Sequence, residues 1–568
     1  MDNNILLKIP KKLVNNPTWL LGYYILVSLA PSIYFAINQP SNLNGKAIVI
    51  LFPLALYLLL LILSRHVGKS IIFLLPLAVL NALQIILFDL FGDDVVASDM
   101  FLNMVTTSSS EVSELLGSEL IPILIICLLY IPPLILAIIQ WRKGKQLNNK
   151  SRKRIFTLSM IFFISVLFLY AHANNNNGIK YTFEKDVYPV NAFYNFGYSI
   201  YKYDKIKHYY QTSQDFSFHA SRHKTSSKRQ IIVLVVGETG RAINWNLYGY
   251  HRKTNPLLEN ENDLVVFHDA ITQSNVTHKS VPLILSSNDA YNFKDIYYRK
   301  GVIEAFKEAG FKTICFSNQS ENGSFIEFLT KEADIYKDIR KEGSEKNPHD
   351  IVLYQLMKNA IETNSGDLFI VLHSYGSHFK YNERYPKSFS HFLPDKIKSV
   401  TRYERNQLVN AYDNSILYVD YFLAQIMDEL KKTNAAAMVL YTSDHGEDIF
   451  DDDRNRFLHS SPTPTFYQLK IPFILWFSNE FEQEYPQKVS AAYQNQFKPI
   501  NTSSVFHTLI DAGEITTPYW DKKLSLVNAG YTVYPRMFLT DHDVAVPYQK
   551  MNLKEEDFKM IQLYKMAP

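Results

Sequence analysis

Residues 231–240 read IIVLVVGETG, and this stretch decides the fold. Six apolar residues from Ile231 to Val236, rich in β-branched side chains and stopped by Gly237, predict a strand buried on both faces of a parallel sheet. Directly after it stand Glu238 and Thr239. In open α/β sheets the carboxyl ends of strands collect ligands and catalytic groups, so these two occupy a place where chemistry is done.

The same pattern repeats downstream. Strands are predicted at 231–236, 312–316 (KTICF), 367–372 (DLFIVL), 437–442 (AMVLYT) and 471–477 (IPFILWF), with helices at 301–309 and 410–432. Alternation of this kind implies an α/β domain with a mostly parallel sheet covered by helices on both faces. Several strands run into polar clusters. HSYGSH follows the third strand with His373 and His378, TSDHGED follows the fourth with Asp444 and His445, and His459 precedes the fifth in RFLHSSPTPT. Carboxylates and imidazoles converging at one sheet edge without thiolates suit zinc or manganese. Thr277 and Ser280, in ITQSNVTHKSVPLILSS, are the candidate nucleophiles. A nucleotide fold is disfavoured, since G-x-x-x-x-G-K-[ST] is absent and no lysine follows Gly240.

Upstream the composition changes. At 568 residues the chain is too long for one ordinary domain, and 1–171 holds nearly all its long apolar runs. Five of them, Trp19–Ile37, Ala47–Ser64, Ser70–Phe91, Ile121–Gln140 and Ile155–Ala171, are long enough or nearly so to cross a bilayer. Lysines and arginines crowd the N-terminus, the second connection and above all the fourth, whereas the third loop, 92–120, carries only acidic charge. By the positive-inside rule five crossings deliver everything after Ala171 to the far side of the membrane. The expected division is a transmembrane domain at 1–171, an aromatic and lysine-rich interfacial connector at 172–229, and a globular domain at 230–568. A short interfacial helix is expected in SSSEVSELLGSEL. The net charge of +3 and the lack of a basic run argue against nucleic-acid binding. Cys127 lies in the fourth span and Cys315 in a strand, so they are not expected to pair.

In order and spacing, VVGETGRAINWNLYGYHRKTNP, SNVTHKSVP, LHSYGSHFKYNERYP, NAYDNSILYVDYFL and SDHGEDIFDDD…FLHS resemble the membrane-bound phosphoethanolamine transferases of the alkaline phosphatase and sulfatase superfamily. The resemblance implies a five-span bacterial inner-membrane anchor bearing a periplasmic catalytic domain of that fold. It also implies transfer of phosphoethanolamine from phosphatidylethanolamine to lipopolysaccharide or a related envelope glycan, with diacylglycerol released. Its ligand set for one zinc maps onto Glu238, Thr277, Asp444 and His445, with Thr277 as the nucleophile that carries the phosphoethanolamine. Its substrate-binding histidines map onto His378, His459 and, less directly, His373. Zinc would lower the hydroxyl pKa of Thr277 and offset phosphoryl charge. Relatives acting on lipid A have several disulfides; this chain is more similar to those that modify core sugars. Ser460 stands after His459 where many members have glycine.

A phosphoglycerol transferase of the lipoteichoic acid type is the alternative, differing in donor head group. A sulfatase nucleophile lies in C/S-x-P-S-R, which THKS does not match. Outside the site, Lys279 reads as a solvated charge, Asp413 as either a support for a metal ligand or a helix-start carboxylate, and Asp451–Asp453 as an exposed loop.

Overall fold

A computed structural model of the chain describes residues 14–38, 43–92, 95–106, 120–175, 182–321, 323–342 and 348–567. The chain divides into two compact units, one of Met1–Phe101 and Leu115–Ser199, the other of Leu102–Glu114 and Ile200–Pro568. The interfacial helix expected in SSSEVSELLGSEL lies outside the described residues.

The first unit is helical: α1 (Pro17–Ser28), α2 (Ala30–Asn38), α3 (Leu43–Leu61), α4 (Val67–Phe73), α5 (Leu75–Phe91), α6 (Leu120–Arg142) and α7 (Asn149–Asn175). Four helical segments are long and apolar enough to cross a membrane, and the pair α4–α5, bent by 59°, makes up to a fifth. Sequence periodicity reads that pair as one run, Ser70–Phe91. The bend has a local cause: Pro76, in the first turn of α5, lacks an N–H and its ring excludes the carbonyl four residues back. In the connector, α8 (Val190–Lys207) exposes Phe193, Tyr194, Phe196 and Tyr201, whereas Tyr188 just before it is buried and donates to Asn81 Oδ1 at 2.6 Å.

The second unit is built on seven strands: β1 (Gln230–Gly237), β2 (Leu264–Val266), β3 (Lys312–Ser317), β4 (Ile335–Asp338), β5 (Leu368–His373), β6 (Ala436–Ser443) and β7 (Phe473–Phe477). They lie in the order β2-β7-β6-β1-β5-β3-β4. β1 is central and pairs in parallel with β5 and β6; β3 runs parallel to both β5 and β4. β7 is antiparallel to β6 and β2 antiparallel to β7. The short edge strands β2 and β4 carry weak apolar signals, Leu-Val-Val and Ile-Tyr-Lys-Asp, and were not expected from the pattern. All eight residues of β1 and of β6 are buried, as strands covered on both faces require.

Helices cover the sheet. Three matter for the site and the core: α9 (Thr277–Ile284), α10 (Val302–Glu308) and α11 (Arg405–Lys431). On one face Ile232, Leu234 and Val236 share a core with α10, whose Phe306 stacks on Phe369 of β5 at 3.8 Å between ring centroids. A pair of that kind adds about 0.5–1.5 kcal/mol beyond its buried area. Cys127 and Cys315 are both free thiols.

Candidate active site

Glu238 is the first residue past β1, and its peptide geometry is forced. Thr239 has φ +60°, the left-handed region that a β-branched residue avoids. Three contacts hold it there: its N–H donates to Asp444 Oδ1 (3.0 Å), its hydroxyl to Glu238 Oε1 (2.8 Å), and its carbonyl accepts from Tyr412 (2.7 Å). The loop after β5 closes from the other side. Gly376 has φ +51°, and a Cβ there would sit 2.6 Å from the Glu238 carbonyl oxygen, so only glycine allows the Ser377 N–H to reach that carbonyl at 3.0 Å.

Directly after β6 come Asp444 and His445, both fully buried. Asp444 Oδ1 accepts from the His445 N–H (2.8 Å), and Oδ2 accepts from Ser280 Oγ (3.2 Å) while lying 3.0 Å from His445 Nε2. His445 Nδ1 is 2.9 Å from the Gly446 carbonyl, which can only accept. The proton therefore sits on Nδ1, and Nε2 presents a lone pair to the site.

Thr277 is the first residue of α9. Its Oγ1 lies 3.2 Å from Glu238 Oε1 and 3.0 Å from His445 Nε2. The antiparallel β7 explains the fourth contributor. A strand running against its neighbours starts where they end, so the segment ahead of β7 returns His459 to this same edge. The His459 ring is 4.1 Å from that of His445, its Nδ1 is 3.4 Å from Glu447 Oε2, and ligand atoms of Glu238, His445 and His459 all lie within 4.8 Å of one another.

All four residues expected to hold a metal thus converge, and His459 joins them. His378 is close: its half-buried ring is 6.2 Å from that of His459, stacks on Tyr375, and keeps a buried Nδ1 with no partner of hydrogen-bond geometry. His373 is not brought into this group; its Nδ1 faces Ser317 Oγ of β3 at 3.3 Å. Two residues were missed. Gln319 donates from Nε2 to Glu238 Oε2 at 2.8 Å, and Glu447 braces His459. Glu447 was in plain view within SDHGED; Gln319 follows β3 with no recognisable motif.

Other sequence readings are corrected here. Lys279 is buried, not solvated, and donates to the Thr540 carbonyl (2.8 Å) beside Asp543 (2.9 Å). Asp413 lies within α11 rather than at its start, where it accepts from Asn244, Tyr250 and Arg252 and touches none of the ligands. In Asp451–Asp453, Asp451 is not exposed: it bridges Arg241 (2.6 Å) and Arg405 (2.9 Å).

Burial raises the Glu238 carboxyl above its ordinary range, and burial with Glu238 alongside raises Asp444 much further. Burial, helped by the neighbouring His459, drives His445 well below its usual value and keeps it neutral. Burial also lowers His378, and takes His373 down to about 4. Two buried carboxylates therefore face an imidazole lone pair at 3.0 and 3.6 Å. Those groups repel unless a proton or a metal cation lies among them, and two oxygens, one nitrogen and a hydroxyl form a donor set that zinc accepts.

This sheet order, with such an edge, defines an α/β domain of the alkaline-phosphatase type. The Sulfatase family model matches residues 230–515, half of the sequence, and the chain belongs to that family. Among curated relatives, phosphoethanolamine transferase EptA of Escherichia coli (strain K12) is 28% identical over 309 residues, covering 52% of this chain and 55% of the relative. The match thus spans about half the relative's length. Among solved structures, the integral membrane protein lipooligosaccharide phosphoethanolamine transferase A (EptA) from Neisseria meningitidis superposes with a TM-score of 0.72 at 23% identity, over 90% of this chain and 98% of that one. The C-terminal periplasmic domain of EptC from Escherichia coli, solved as a complex with Zn, gives a TM-score of 0.53 at 23% identity, over 59% and 96%. Ahead of this sulfatase-family domain, the described residues include four helical segments, or up to five, long and apolar enough to cross a membrane.

Proposed function

We propose that the protein transfers phosphoethanolamine from phosphatidylethanolamine to lipopolysaccharide, on a core sugar or lipid A, with Thr277 as nucleophile. The observation that carries this reading is the convergence of the Thr277 hydroxyl on Glu238 and His445 at 3.2 and 3.0 Å. Zinc is the cofactor that Glu238, Thr277, Asp444 and His445 would hold; when bound, it lowers the proton affinity of the hydroxyl and offsets charge on the phosphoryl group.

The chain's own groups account for the rest. The Thr277 oxygen attacks phosphorus, the bond from phosphorus to the diacylglycerol oxygen breaks, and diacylglycerol leaves with a proton. An acceptor hydroxyl or phosphate then displaces the threonine, and the enzyme returns to its starting state. His459, oriented by Glu447, and His378 beside it hold the phosphate oxygens and pass the protons. His373 supports the strand end instead. The α9 N-terminus aims its dipole at the same phosphate.

The test is peptide mass spectrometry of the detergent-purified, zinc-loaded protein after incubation with phosphatidylethanolamine and no acceptor. A phosphoethanolamine adduct on the Thr277 peptide, absent in Thr277→Ala, is expected. Labelling of Thr277 by phosphatidylglycerol alone would instead identify a phosphoglycerol transferase.

A further inference from the structure

Outside the group of candidate metal donors, a cavity of about 510 Å3 is lined by residues that include three arginines, Arg241, Arg252 and Arg405, and three tyrosines, Tyr250, Tyr467 and Tyr564. Three guanidinium charges are met by two carboxylates, Asp451 in the lining and the buried Asp413 that pairs with Arg252, which leaves one positive charge in excess. Each arginine is fixed along one edge. Arg241 is buried and donates to Asp451, Asn244 and the Glu447 carbonyl. Arg405 donates from Nε to the Phe450 carbonyl and from Nη2 to Asp451, which leaves Nη1 unbonded. Arg252 donates only from Nη1, to Asn410 and Asp413, which leaves Nε and Nη2 unbonded. The side chains of Arg252 and Arg405 are 31% and 36% exposed. Two guanidinium groups, held rigidly on one side and open on the other, are set to bind an oxyanion at little entropic cost. The tyrosine rings supply flat faces of the kind on which sugar rings pack.

We infer that this cavity is a binding site for an acidic saccharide, one carrying a phosphate or carboxylate, and that it holds the acceptor glycan away from the reacting group. The second clause rests on the transferase reading; the first does not. Arg241 joins the two places, since it lines the cavity and donates at 3.1 Å to the carbonyl of Glu447, whose side chain braces His459.

The test uses the wild-type, full-length protein in detergent. Arginine modification by phenylglyoxal is followed peptide by peptide with glucose 1-phosphate, glucuronate, inorganic phosphate or glucose present. The expected result is, at saturating ligand, at least about tenfold slower modification of Arg252 and Arg405 with either acidic sugar, and no protection by glucose. Equal protection by inorganic phosphate alone would overturn the saccharide assignment, and protection by glucose would overturn the role of the anion. Absence of any protection would overturn the site itself. The acceptor role is read separately: Arg405→Gln should raise KM for a lipopolysaccharide acceptor about tenfold with kcat little changed, and an unchanged KM would rule that role out. Because protection needs no turnover, failure to label Thr277 would defeat the transferase reading without touching this one.

Discussion

Ser460 shows how much a single φ angle carries. It follows His459 at φ +67°, the region that favours glycine, and its N–H is tied to the Asn275 carbonyl at 3.1 Å, two residues before Thr277. The hydrogen bond fastens the histidine loop to the nucleophile segment, and the serine side chain is a strain on it. Ser460→Gly should therefore stabilise the fold by about 0.5–1 kcal/mol, the left-handed penalty less the extra freedom of unfolded glycine. A lower melting midpoint in a thermal scan would show that the side chain contributes contacts that outweigh the strain. At this scale the sequence was legible where a residue's position follows from a strand end. Glu238, Asp444 and His445 sit at the ends of apolar runs, and any sheet built from those runs gathers them. Gln319, the Thr239 backbone and the partner of His373 were not legible, because each depends on which loop folds against which.

Helix α11 illustrates the next scale. Asp413 and Asp420 lie seven residues apart, hence on one face, and both are buried. Asp413 takes Asn244, Tyr250 and Arg252; Asp420 takes the N–H groups of Leu257 and Leu258, each at 2.9 Å. One helix face thus anchors the whole segment that follows Glu238. Burial pushes Asp420 up to about 7. An acid raised above its unfolded value near 3.9 stabilises the fold fully below about pH 4 and loses that contribution as pH rises through about 7. The stability difference between wild type and Asp420→Asn should therefore fall with rising pH over this window, at up to about 1.4 kcal/mol per unit, and level off above it. A difference independent of pH in denaturant titrations would contradict the assignment. Periodicity revealed α11 but not its acid face, since the spacing of residues does not say which loops fold against a helix.

For the whole molecule, charge asymmetry between loops predicts the topology. Lys143 follows α6, in the basic fourth connection, and Tyr403, 97% exposed, belongs to the sulfatase-family domain. A membrane-impermeant maleimide should label Tyr403→Cys once the outer membrane is permeabilised, and Lys143→Cys only after the inner membrane is broken. The reverse order would invert the topology. The bend between α4 and α5 escaped the hydropathy reading because proline is apolar enough to hide in such a run while breaking its backbone.

The two free, separated thiols have a consequence for biogenesis. A domain exported to an oxidising compartment normally invites an oxidase to finish the job, yet both cysteines of this chain are free, so it has no disulfide of its own to form. The exported domain's maturation is uncoupled from redox poise: yield in an oxidase-deficient strain should match wild type, and its melting midpoint should be the same with and without dithiothreitol.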